Sequence, residues 1–239
     1  MKFLAASFSA IGPRQVNEDC VGVWRVGDTL TAAVADGLGG MGGGAVASGL
    51  AIECLNEVAA KRSVARDDLR QIALEAHSRI INKQLTDNSL KSMATTFTAA
   101  SFVDGHLSGV HCGDTRLLIA RKQGIKRLSL DQTEGQRLFL AGKLSKQELN
   151  DYPRKHILDS ALGVINKDLV IQGIDFDLEA GDKVLIVSDG VYQAVSMRNL
   201  RDLLADFSDP KEFVKELCFE IERRGASDNF SVVAVFANQ

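Results

Sequence analysis

The chain has 239 residues, with 28 Lys and Arg against 31 Asp and Glu for a formal charge of -3, and is 45% hydrophobic and 25% charged. That apolar content supplies a sizeable core and excludes a disordered or low-complexity chain. The near balance of charge, without a basic run or an aromatic-interleaved patch, gives no nucleic-acid surface. No stretch reaches the length of a membrane span, and the N-terminal residues lack the apolar segment and cleavage pattern of a secretory leader. Cys20, Cys54, Cys112 and Cys218 are scattered and read as free thiols. The expected compartment is the cytoplasm, with no membrane contact and no requirement for more than a monomer.

In chain order, residues 3 to 9 alternate loosely and predict a strand, and the stretch from Gly12 to Asp19 reads as a loop carrying Arg14, Glu18 and Asp19. The runs 20–25 and 29–35, separated by Val26-Gly27-Asp28, predict a hairpin whose second strand ends at Asp36. From Ala45 the period changes to helical, with Ala47, Leu50, Ala51, Cys54, Leu55 and Val58 on one face. A second helix is predicted from an N-cap at Asp67 or Asp68 to about Leu85. Residues 94–103 and 106–111 flank Asp104-Gly105, whose residues accept the positive φ angles of a tight primed turn. Strands follow at 117–121 and 125–130.

Residues 131–161 are mostly polar, with short helices expected at 132–140 and 145–149, and form a candidate flap. Strands return at 170–178 and 183–188. Helices are predicted around 191–195, at 198–205, and from Pro210, with a closing strand to Phe236. So much antiparallel pairing argues against a parallel doubly wound sheet. No repeat or linker divides the chain, so one domain is expected over 1–239.

Three acids stand out. Asp36 ends the small-apolar run 31–35 and precedes Gly37-Leu38-Gly39-Gly40, Asp189 ends the run 184–187 and precedes Gly190, and Asp228 opens the last apolar run. A lone Asp-Gly is an ordinary turn. The repeated order of buried strand, acid and glycine instead points to carboxylates gathered at one edge of a core, which repel one another unless a cation compensates. Histidines without H-E-x-x-H spacing and cysteines without paired spacing disfavour zinc, so the donors predict magnesium or manganese. The glycines also fit G-x-G-x-x-G. Against a dinucleotide site, Asp36 would meet a pyrophosphate, and the following helix leads to a second helix instead of a parallel strand.

The motif order resembles the metal-dependent protein serine/threonine phosphatases of the PP2C type, the PPM family, in their compact bacterial form. The resemblance rests on Arg14-x-x-Asn17-Glu18-Asp19, Ala35-Asp36-Gly37-Leu38-Gly39-Gly40, Thr95-Thr96, Gly113-Asp114-Thr115-Arg116, Leu128-Ser129-Leu130-Asp131, Ala161-Leu162-Gly163, Ser188-Asp189-Gly190 and Asp228-Asn229, in the family's sequence. It implies an α/β (α+β) sandwich, two mostly antiparallel sheets packed together and flanked by helices on both sides. It also implies hydrolysis of phosphoserine and phosphothreonine in proteins by a metal-activated water, on substrates of a bacterial serine/threonine kinase. The other readings are a small-molecule phosphomonoesterase and a non-catalytic phosphoprotein-binding domain.

Carried over by motif, the resemblance assigns Asp36, Asp189 and Asp228 to one metal, and Asp36, the Gly37 carbonyl and Glu18 to a second. Asp114 with Asp189 would serve a third. Asp19 and Asn229 would support the ligands, and Arg14 would hold the substrate phosphate, with an ion pair to Glu18 or Asp19 as its alternative use. The chemistry is coherent, because two divalent ions lower the pKa of a shared water and offset phosphoryl charge, while an arginine offers a bidentate fork. The absence of a Cys-x5-Arg motif speaks against a phosphocysteine route. Three departures limit the transfer: Leu38 stands where some members carry a histidine, Gln132 replaces another histidine, and Asp159-Ser160 replaces Thr-Arg. His77 is expected on a helix surface, and His106 and His111 in packing or hydrogen bonding. His156 is the one histidine placed to approach a substrate.

Overall fold

The computed structural model describes residues 1–39, 42–165 and 168–238. Eleven strands among the described residues form two antiparallel sheets. The first sheet joins β1 (Lys2–Ala10), β11 (Phe230–Asn238), β10 (Lys183–Val187), β7 (Arg116–Arg121) and β8 (Gly124–Arg127), in that order. The second joins β2 (Asp19–Val26), β3 (Thr29–Leu38), β5 (Phe97–Val103), β6 (His106–Cys112) and β9 (Gln172–Asp177), with the short β4 (Ala94–Thr95) also paired to β3. Asp104 and Gly105 take φ of 49° and 76°, the primed turn expected of the β5–β6 hairpin.

Alternation along each strand explains the layers, because successive side chains leave opposite faces. Ala32 and Val34 of β3 meet Ile186 of β10 and Val233 and Val235 of β11 in an apolar layer between the sheets. Ala33 and Ala35 face the other way, onto α1 (Gly43–Ala59) and α2 (Arg66–Thr86). Val232, Ala234 and Phe236 likewise face α5 (Asp189–Ala194), α6 (Met197–Ala205) and α7 (Pro210–Arg224). Central strands buried on both faces read as continuous apolar runs, which is why residues 31–35 and 184–187 show no polar alternation. The result is the expected α/β sandwich with helices on both outer sides. Between β8 and β9 lie α3 (Glu134–Leu140) and α4 (Lys146–Asp151).

The boundaries differ from the sequence expectation where distant partners intervene. β3 runs on through Asp36 to Leu38 because β4 pairs with Gly37 and Leu38. The strand expected over 94–103 breaks at Thr96, whose N–H donates to the Asp36 carbonyl at 2.9 Å and whose hydroxyl accepts the Asp36 N–H at 2.9 Å. Asp68 does not precede α2. It sits one turn inside, accepts the Ala65 N–H at 3.0 Å and pairs with Arg62 at 2.7 Å.

Candidate metal centre

The loop before β2 and the start of β11 are fastened together by one side chain. Asn229 Oδ1 accepts the Glu18 N–H at 2.9 Å, and its Nδ2 donates to the carbonyls of Ile11 at 2.7 Å and Val16 at 3.1 Å. Arg14, on that loop, places Nη2 2.6 Å from Asp228 Oδ2. Its ion pair is therefore with Asp228, not with Glu18 or Asp19. Glu18 Oε1 accepts the Gly44 N–H at 3.1 Å, supplying from another element the cap that Gly42 cannot give to α1. Gly37 lies where a Cβ would come within 2.2 Å of the Gly44 carbonyl and 2.5 Å of the Glu18 carbonyl, so only glycine lets α1 approach the strand end. Gly40 and Met41 of the glycine run lie outside the described residues.

The five aspartates bear on one another electrostatically. Burial, then the charges of Asp19, Asp189, Asp114 and Asp228, push the Asp36 carboxyl well above the ordinary range. Asp189 is raised to about 6 by burial, then by Asp228 and Asp19. Asp114 is raised to about 7 by burial, then by Asp189 and Asp131. Asp19 is raised by burial, an effect opposed by hydrogen bonds from Ser231 and Ser188. Glu18 is raised by burial, against the Gly44 N–H. These shifts share one cause, anions held together in a poorly hydrated edge.

Comparison with known proteins bears on this arrangement. The sequence matches the family described as Protein phosphatase 2C over residues 9–228. The chain belongs to the PP2C family. Its relatives include the serine/threonine phosphatase stp of Listeria welshimeri, 29% identical over 94% of this chain and 92% of that one. The crystal structure of the Mycobacterium tuberculosis serine/threonine phosphatase PstP/Ppp is similar at TM-score 0.89 and 27% identity, covering 100% of both chains. A PstP catalytic domain described in complex with two manganese ions matches at TM-score 0.85 and 27% identity, over 99% of each chain. This PP2C protein is thus a protein serine/threonine phosphatase of a metal-dependent family.

The donor set of this PP2C chain fits hard divalent cations, being all oxygen and mutually repulsive. Among the described residues no three His, Cys, Asp or Glu side chains already converge as ligands. Four of the five aspartates instead lean on a protein donor: Asp228 on Arg14, Asp189 on Gln193 Nε2 at 2.7 Å, Asp114 on the Tyr192 hydroxyl at 3.3 Å, and Asp19 on Ser188 at 2.7 Å. Tyr192 and Gln193 were missed in the sequence, although they lie three and four residues after Asp189 at helical spacing. Arg116 stacks 3.5 Å from the centre of the Tyr192 ring and pairs with Asp131 at 2.8 Å, linking Asp114's neighbour to the start of the 131–161 segment.

Three of the four histidines are engaged in hydrogen bonds away from the five aspartates. His111 is fully buried between the Thr98 hydroxyl at 2.8 Å and the Leu130 carbonyl at 3.1 Å, and burial lowers its pKa to about 4. His106 pairs with Asp177. His77 is half-buried instead of lying on the surface, and it accepts the Gly163 N–H at 3.0 Å. His156 is exposed.

Proposed function

We propose that this phosphatase hydrolyses phosphoserine and phosphothreonine in protein substrates of a bacterial serine/threonine kinase, at a centre of two magnesium or manganese ions with room for a third. Asp36, Asp189 and Asp228 would hold one ion, and Asp36, Glu18 and the Gly37 carbonyl the other. Asp114 with Asp189 would serve the third. When bound, the ions supply a lowered water pKa and positive charge against the phosphoryl oxygens. The chain's own side chains bind and orient. Arg14, exposed and held only by its pair with Asp228, would offer its guanidinium to two phosphoryl oxygens. Asp19 orients from behind Asp36, and Asn229 fixes the loop that carries Arg14 and Glu18. The 131–161 segment acts as a flap over the substrate, in one domain working in the cytoplasm.

The observation that carries this reading is the crowding of buried carboxyls at one edge, where burial and then neighbouring aspartates raise Asp36, Asp189 and Asp114, which makes the edge costly to assemble without a cation. The test is a phosphopeptide assay on chelator-stripped protein, with each divalent ion restored in turn and a small phosphomonoester run beside it. Activity dependent on added metal and favouring the phosphopeptide is expected. Turnover that persists under chelation would overturn the centre, and preference for the small ester would favour a small-molecule phosphomonoesterase.

A further inference from the structure

The two inner sheet faces stay apolar for most of their length and become polar at the catalytic end. Alternation carries β3 from Ala32 and Val34 to Asp36, and β2 from Val23 and Val21 back to Asp19, on the same inner face. From the opposite sheet it carries β10 from Val184 and Ile186 to Ser188, and β11 from Val235 and Val233 back to Ser231. Carboxylates therefore hang from one sheet and hydroxyls from the other.

These groups close a hydrogen-bonded clasp. Ser188 Oγ donates to Asp19 Oδ2 at 2.7 Å and accepts the Ser231 N–H at 2.9 Å, while the Ser188 N–H donates to the Ser231 carbonyl at 3.0 Å. The Ser231 and Ser9 hydroxyls lie 2.9 Å apart, and Ser9 Oγ accepts from Asn17 Nδ2 at 2.8 Å. Asn17 returns to the carboxylate strand by accepting the Asp19 N–H at 3.1 Å. The Ser231 hydroxyl donates to Ser9, which accepts from Asn17 as well, so the Ser231 side chain reaches Asp19 through Ser9 and Asn17 while its N–H holds Ser188. Ser188 and Ser231 are 0% exposed, so water does not compete for these bonds.

We propose that Ser188 and Ser231 are positioning residues that set the distance between the two halves of the cation site and thereby its affinity. Ser188 is bonded directly to Asp189, and Asp19 is the cross-strand partner of Asp36. The Ser188–Asp19 bond is thus one residue from a ligand on one sheet and one strand-pair from a ligand on the other. Apolar contact between sheets is non-directional and fixes no such distance. A short, buried, charge-assisted hydrogen bond does. This inference rests on the proposed sharing of cations by Asp36 and Asp189.

Manganese binding to chelator-stripped protein, followed by the electron-paramagnetic-resonance signal of free Mn2+, tests it on wild type, Ser188→Ala, Ser231→Ala and Ser101→Ala. Ser101 is a buried serine whose hydroxyl has no partner among the described residues, so it controls for loss of a core hydroxyl. Ser188→Ala and Ser231→Ala should weaken Mn2+ binding about 10–100-fold, the usual effect of losing a group that orients a ligand. Phosphopeptide turnover should return at high Mn2+, and Ser101→Ala should bind as wild type. A Ser188→Ala protein that melts lower in chelator yet binds Mn2+ like wild type overturns the inference and leaves the cation centre standing. Wild type that takes up no Mn2+ overturns both.

Discussion

Arg14 and Asp228, 214 residues apart, are joined by an ion pair of 2.6 Å at the mouth of the aspartate cluster. Arg14 is 56% exposed and Asp228 29%, so solvent screens the pair and it is worth about 0–1 kcal/mol. A contact that weak is readily exchanged for stronger partners on either side, a cation for Asp228 and a phosphate for Arg14. Arg14→Ala should raise KM for a phosphopeptide about tenfold or more while leaving Mn2+ affinity within about threefold. Steady-state kinetics with a parallel Mn2+ titration check both. An unchanged KM would remove Arg14 from substrate contact.

Asp189→Asn and Asp228→Asn keep side-chain shape but remove the charge a cation requires. Each should abolish manganese-supported phosphatase activity with the circular dichroism spectrum intact. In chelator, Asp189→Asn should melt no lower than wild type, because it relieves like-charge repulsion at the cluster. Ordinary turnover by either purified variant would refute its role.

The raised carboxyls also fix a sign for pH dependence. Asp114 at about 7 and Asp189 at about 6 bind protons more tightly in the folded protein than at their ordinary value of 3.8. Their stabilising contribution is complete below about pH 4 and is lost as pH rises through 6 to 7. Chelated protein should therefore melt about 5 °C lower at pH 8 than at pH 5, a difference that Asp114→Asn shrinks and saturating Mn2+ at pH 8 removes. Thermal melts in chelator at the two pH values decide it. A melting temperature that climbs over that interval would contradict the electrostatic account.

Asn229 spends every polar atom of its side chain on the 11–18 loop. Asn229→Ala leaves the Glu18 N–H and the Ile11 and Val16 carbonyls without that partner, which should cost about 2 kcal/mol in chelator and weaken Mn2+ binding as the Glu18 backbone loosens. Urea midpoints in chelator and in manganese measure the two effects. Equal stability of variant and wild type in chelator would mean that water replaces the side chain fully.

Much of this was legible in the linear sequence, because it depends on local periodicity or on motif order. The Asp104-Gly105 turn, the doubly buried strands before Asp36 and Asp189, and the Pro210 start of α7 each declare themselves within a few residues. What stayed hidden depends on pairing across the sandwich. Arg14's partner lies at the far end of the chain, and Glu18 caps a helix that begins more than twenty residues later. Thr96 leaves its strand to bind the backbone of Asp36. Ser9, Ser188 and Ser231 look like ordinary strand polar residues until the two sheets face each other. Tyr192 and Gln193 are the exception, since their spacing from Asp189 along α5 is a local signal.

The strand that lies between β1 and β10 is also the last strand in chain order among those described, and Asp228 lies two residues before it. During synthesis the first strand must wait beside an empty place until residues 230–238 leave the ribosome. Closing so large a loop is slow compared with local hairpin formation. A nascent or truncated polypeptide lacking residues 228–238 has neither a complete first sheet nor the Asp228 carboxylate, so hydrolytic competence should wait until that segment has paired with β1 and β10.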